Sequence, residues 1–174
     1  MSNSENLDEK ITYQFDIIRR YDHYIGTANF KIGLLLSFLI VILVAIVVRA
    51  VSIATQVDQL SILAGLVTLV CALTVLGAAT YLIRAVSPNI NSASYRSYVF
   101  FVDVAAWKGG EQQYYSDFSG EDKQTLLKDI CFQTSSVAKI ATEKFWLISC
   151  ATKVILFGVI PSFAVNILVL ISGR

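Results

Sequence analysis

Three stretches of the chain contain no Asp, Glu, Lys, Arg or His: Ile32 to Val48 (17 residues), Leu60 to Ile83 (24) and Val154 to Gly173 (20). A helix needs about 20 mostly apolar residues to cross a hydrocarbon core, and each run meets or approaches that length. Lipid offers no partner to a free backbone N–H or C=O, so runs of this kind cross as helices. The fold class expected is an all-α integral membrane protein with three transmembrane helices, at 31–53, 60–84 and 154–172.

Charge then divides the remainder. The connection around Ser52 to Gln59 holds Asp58 alone, with Arg49 at its edge. Arg84, Arg96, Lys108, Lys123, Lys128, Lys139, Lys144 and Lys153 lie between the second and third runs, and Arg19, Arg20 and Lys31 precede the first. The positive-inside rule places both basic groups in the cytosol, giving a multi-pass membrane protein with its N-terminus inside and Gly173 and Arg174 outside. Residues 1–30 form a cytosolic amphipathic helix, 85–120 a connector with an aromatic segment, and 121–153 a cytosolic helix continuing into the membrane; together they make a small cytosolic helical bundle. Five acids (Glu5, Asp8, Glu9, Asp16, Asp22) against Lys10, Arg19 and Arg20 are the wrong start for a secretory signal, so the first run is retained as a span.

At 55% hydrophobic and 16% charged the chain is not a disordered one. Its 14 Lys and Arg against 13 Asp and Glu give a net charge of +1, no basis for a nucleic-acid polymer as partner. Cys71, Cys131 and Cys150 are too scattered for a disulfide framework or a zinc site.

Two helical faces outside the apolar runs are interrupted by polar residues. Ile11, Phe15, Ile18, Asp22, Ile25 and Asn29 step by four and three, as do Leu126, Ile130, Gln133, Val137, Ile140 and Lys144 after a helix start at Ser119-Gly-Glu-Asp. Counted from Ile32 and Val154, Asp22 and Lys144 are each ten residues from the membrane, about 15 Å. The two are either an ion pair at one depth or two solvated charges, while Lys31 and Lys153 form a basic level at the headgroups. Tyr95 to Trp107, β-branched and aromatic, is a strand or a buried connector; Lys108-Gly-Gly110 breaks the chain, and Tyr114 and Tyr115 lead into an acidic-polar turn ending at Gly120. Pro161 kinks the third span unless a neighbour satisfies the freed carbonyl. Asn166 bonds another helix, lines a wet lumen or sits near the outer interface. Gly33 and Ser37 are a small-xxx-small pair of low specificity.

The chemistry-bearing patterns are few. Lys108-Gly-Gly lacks the phosphate-loop spacing, and His23 is the sole histidine, without HExxH or CxxC companions, so no metal, cofactor or catalytic residue is assigned. A non-enzymatic protein is expected. Arg96 and Lys108 among Phe100, Phe101, Tyr98, Trp107, Tyr114 and Tyr115 suit a nucleotide, cation on phosphate and ring on base, or are solvated cations beside core aromatics.

Four ordered pieces carry a resemblance. Arg20-Tyr-Asp-His-Tyr-Ile-Gly-Thr-Ala-Asn-Phe-Lys31 leads into a span, Ala85-Val-Ser-Pro-Asn89 closes the second, Tyr98-Val-Phe-Phe-Val-Asp-Val-Ala105 is an aromatic-Asp segment, and Gln133-Thr-Ser-Ser-Val-Ala-Lys-Ile-Ala-Thr-Glu-Lys-Phe145 is a closing helix. In this order, over about residues 15 to 172, they resemble the Pycsar-effector membrane family, with Val102 where that family usually has a small residue. The resemblance implies a membrane effector of a bacterial antiphage system, in which a partner cyclase or related polymerase makes a cyclic nucleotide after infection and the effector ends inner-membrane integrity. Its motif positions here are Asp22, Asn29, Lys31, Phe100, Phe101, Asp103, Gln133 and Lys144. Four of these, Asp22, Asn29, Gln133 and Lys144, are the stripe interruptions.

The expectation is a homo-oligomeric effector causing abortive infection. Asp22, Asn29, Lys31, Asp103, Gln133 and Lys144 couple its cytosolic part to the spans, Arg96, Phe100, Phe101 and Lys108 are the nucleotide candidates, and Pro161 and Asn166 the gate candidates. The alternatives are a membrane anchor recruiting a defence partner and a channel gated by another ligand.

Overall fold

The protein is described by a computed structural model over residues 3–54, 59–87 and 96–172. Asp58, Pro88, Asn89, Tyr95, Gly173 and Arg174, each named above, lie outside the described residues. Six α-helices follow in order: α1 (Asn3–Ala54), α2 (Gln59–Val86), α3 (Phe101–Ala105), α4 (Gly110–Gly120), α5 (Lys123–Val154) and, after a π-helical turn at Ile155–Val159, α6 (Ile160–Ser172). No strand occurs among the described residues, and three of the helices are long and apolar enough to cross a membrane. The fold class is all-α, with three helices of spanning length.

Two compact units share the chain, 1–26 with 88–142 and 27–87 with 143–174. In the second, Ile32, Leu39, Ile42 and Ile46 of α1 meet Cys71, Val75, Ala78, Leu82 and Ala85 of α2, Leu147 and Ala151 of α5, and Ile155 and Val159 of the π turn. Along α2 the buried positions 64, 68, 71, 75, 78, 82 and 85 alternate steps of four and three, the 3.5-residue repeat of a left-handed helical bundle. Small residues at 71, 78 and 85 bring the backbones close, which is where packing energy comes from when lipid removes the hydrophobic drive. The opposite faces leave Val41, Val48, Ile62, Leu73 and Phe157 exposed, a surface suited to acyl chains and not to water.

The seam corrects the stripe expected on α1. Gln14, Tyr21 and Ala28 are buried or half-buried, whereas Phe15, Asp22 and Asn29 are exposed, one position off. With Ile11, Ile18, Ile25 and Ile32 unchanged, either neighbour satisfies a three-and-four count; packing selects the earlier one. On α5 the seam moves the other way, to the later neighbour: Ala141 is buried where Ile140 is half-buried, while Gln133 and Thr134 are both half-buried.

The first unit departs from expectation between Arg96 and Gly120. Its aromatic segment is not a strand: Val104 N–H donates to Phe100 O (3.0 Å) and Ala106 N–H to Val102 O (3.1 Å), the local bonds of a short helix. The acidic-polar turn is instead α4, started by Gly109 and Gly110 at φ +93° and +73°. A Cβ at Gly109 would stand 2.7 Å from Gln113 Cβ, so glycine is required there on both counts. The helix start predicted near Ser119 falls three residues later, where Asp122 Oδ1 accepts Thr125 N–H (2.6 Å) and caps α5. That bond holds the Asp122 carboxyl below its ordinary value.

Candidate functional site

In the second unit, the C-terminal turn of α2 ends in carbonyls without intrahelical donors, the negative end of the helix dipole. Lys144 of α5 supplies a cation there, donating to Ala85 O and to Asn29 Oδ1 of α1 (3.3 Å). One ammonium thus ties three helices through two neutral acceptors. Burial pushes its pKa down from the ordinary lysine value. Asn29, outside the apolar seam, is placed to reach Lys144, so two of the sequence candidates meet. Lys31 is exposed two residues further on.

Deeper in the same unit, polar pairs join α2 to α6. Asn166 Nδ2 donates to Thr68 Oγ1 (3.0 Å), and Thr74 and Ser162 hydroxyls lie 3.4 Å apart. Asn166 and Thr68 are both buried. Of the readings open for Asn166, the bond to another helix is the one found. Thr68 and Thr74 are not among the sequence candidates; the step from Ala64 through Thr68 to Cys71 is the signal that marks Thr68 as inward.

Pro161 follows a widened turn, not a sharp break. Ile160 N–H reaches back five residues to Ile155 O, one residue more than the α-helical reach. This extra residue keeps both Ile155 and Val159 buried just before the proline, whose missing N–H deprives Phe157 O of its usual donor. Pro161 itself is exposed.

The first unit is organised by a carboxylate that is not among the sequence candidates. Asp129 is fully buried, and its Oδ2 accepts Ser97 Oγ–H (3.1 Å) and Tyr98 N–H (2.7 Å). Ser97 Oγ in turn accepts Val99 and Phe100 N–H, and Ser97 N–H donates to Asp103 Oδ2 (3.0 Å). Asp103 therefore stabilises a tight turn ahead of α3. Around it Tyr98, Trp107, Tyr114 and Phe118 form an aromatic cluster, with Trp107 Nε1–H on Asp117 and Tyr98 OH on Glu121.

The nucleotide candidates are thereby distributed. The Arg96 guanidinium stacks 3.6 Å from the Trp107 ring centre, Phe100 packs edge-on against Phe101, and Phe101 and Lys108 are exposed. Asp22 is exposed on α1 and Gln133 half-buried on α5. Among the described residues, no group of three or more His, Cys, Asp or Glu is placed to hold a metal ion.

The sequence model of the Pycsar effector protein domain matches residues 13–171. The chain is also similar to the Pycsar effector protein EcPycTM of Escherichia coli, 28% identical over 165 residues that cover 84% of this chain and 83% of that protein. No solved structure matches.

Proposed function

The chain belongs to the Pycsar effector protein family, and on that footing we propose that it is an antiphage effector that disrupts the bacterial inner membrane when a cyclic nucleotide made by a partner cyclase signals infection. The observation that carries this reading is the Lys144 node. A cation that is half-buried and held, among the described residues, by Asn29 and the Ala85 carbonyl makes a contact that a rearrangement of the helices breaks without separating an ion pair. Such a contact suits a switch between two packings of one sequence. A signal shifts that equilibrium only as far as it binds one packing more tightly.

The N-terminus and the 88–142 segment face the cytosol in this reading, as the distribution of Lys and Arg favours. Nucleotide contact belongs to the first unit, where Arg96, Phe100, Phe101 and Lys108 offer cations and rings, with Asp103 holding the turn before α3 through Ser97 N–H. That the three long helices of the second unit pack on one shared seam supports a homo-oligomer as the disrupting species. Asp22, Lys31 and Gln133 are proposed to transmit the signal between nucleotide contact and the Lys144 node.

The test is leakage from dye-loaded vesicles carrying the purified full chain, with and without a panel of cyclic mono- and oligonucleotides. Release triggered by one nucleotide supports the reading, and loss of that release in Lys144→Gln places the node in the response. Vesicles that stay tight under every nucleotide refute direct sensing.

A further inference from the structure

Lys144 marks a level on the second unit, since its ammonium meets Asn29 of α1 and the last turn of α2. Lys153 lies nine residues further along α5, about 13 Å at the helical rise. Five residues beyond it, Gly158 packs against Thr74, eleven residues before Ala85 on α2. Lys153 therefore sits between the charged end of the three-helix unit and its middle, at apolar depth.

It is exposed there, and among the described residues it has no hydrogen-bond or ion-pair partner. A cation at such depth pairs with something or reaches out of the hydrocarbon. Among the described residues of this unit the one acid is Glu143, beside Lys144 and ten residues from Lys153. A second copy meeting this face would bring a like charge, not a counter-ion.

Helical side chains lean toward the N-terminus, so the Lys153 ammonium rises along its own helix past Ser149 toward Trp146, four and seven residues back on the same face. Both are exposed, Trp146 at 61%. An ammonium, a hydroxyl and an indole N–H then line one outward stripe, three donors with no carboxylate among them. A phosphodiester is their complement, an anion with acceptor oxygens only, and exposed Leu156, Phe157 and Ile160 continue into the hydrocarbon where its acyl chains would lie. Exposed Lys31 and Arg84 add positive potential at the same end. We propose that Trp146, Ser149 and Lys153 form a binding site for the headgroup phosphate of an anionic phospholipid.

The full chain in a neutral detergent is titrated with phosphatidylglycerol, phosphatidylcholine or inorganic phosphate while its thermal midpoint is followed. Phosphatidylglycerol is expected to raise the midpoint and the other two to leave it in place. Lys153→Gln weakens the apparent affinity roughly tenfold, the scale of one hydrogen bond to a charged group, whereas Lys31→Gln retains most of it. Phosphatidylcholine or inorganic phosphate acting as well as phosphatidylglycerol overturns the site, as does Lys31→Gln losing as much as Lys153→Gln. Independently of any charge variant, brominated phosphatidylglycerol should quench the fluorescence that Trp146→Phe removes more than brominated phosphatidylcholine does; equal quenching overturns the proposal too.

Discussion

Gly158 lies directly beneath the side chain of Thr74: a Cβ built on it would stand 3.2 Å from Thr74 Cγ2 and 3.4 Å from Cβ. The Thr74 hydroxyl is already committed to Cys71 O (2.9 Å), so its methyl has little freedom to turn away. Gly158→Ala is expected to destabilise the three-helix unit by about 1 kcal/mol, the lower range for overpacking. Thr74→Ser, which removes the methyl, should recover most of that loss. Denaturation of the four proteins of this double-mutant cycle measures the coupling, and additive effects would show that the two residues do not press on each other.

Asn166 and Thr68 form the other tie between these helices. In lipid, the unfolded reference also finds hydrogen-bond partners, so their coupling should be modest, about 0.6 kcal/mol. Asn166→Leu and Thr68→Val, singly and together, give that value by the same cycle. A coupling of zero would move Asn166 from structural tie to lumen-facing residue, because a side chain directed into water does not depend on Thr68.

Asp129 supports the turn at 96–100 from a fully buried position. Asp129→Ala leaves Ser97 Oγ–H and Tyr98 N–H without their acceptor, a loss of about 1–3 kcal/mol per unsatisfied buried group. Asp129→Asn, keeping an acceptor oxygen, should cost less. Amide exchange at Tyr98, Val99 and Phe100 reports the effect locally, and unchanged protection in the alanine variant would count against this role.

The three helices long and apolar enough to cross a membrane were legible because each contains a run of 17 to 24 residues without a single charge. The Asn29 and Lys144 positions were legible as polar interruptions of apolar faces, but their partner was not. Counting from Ile32 and Val154 levels Lys144 with Asp22, whereas its bonds to Asn29 and Ala85 set it level with the start of the first apolar run. Such a count takes the third helix to enter lipid where its last charge, Lys153, ends; a lysine at a helix end reaches back toward water, so charge alone marks that boundary poorly. Ser97 and Asp129 were not legible because they are 32 residues apart and each is a common surface residue. Only packing brings them together.

Burial lowers the Lys144 pKa beneath the ordinary 10.5, which fixes the sign of a pH effect. The unfolded chain, titrating near the ordinary value, binds more protons than the folded one in the window between the two values. Stability contributed by this residue therefore rises as pH increases through that alkaline window. Lys144→Met should flatten the rise. Unfolding midpoints of both proteins, followed through the alkaline range up to the ordinary lysine value, decide it, and parallel profiles would remove Lys144 as the source.

Pro161 and the π turn before it make the last case. Pro161→Ala supplies the N–H that Phe157 O lacks and removes the ring that crowds that carbonyl, which favours the four-residue reach over the five-residue bond from Ile160 to Ile155. Regularising the turn takes one residue out of register, about 100° of rotation for everything beyond it. Asn166 would then turn away from Thr68 and Ser162 from Thr74, undoing both polar ties at once. If the wide turn is the element that moves in a gate, the variant should insert and assemble normally yet leak differently from the wild type. Vesicle leakage, measured beside crosslinked oligomer yield, separates the two. Unaltered leakage in a correctly inserted Pro161→Ala protein removes Pro161 as a gate, and a fall in assembly of the same size makes the turn a packing feature instead.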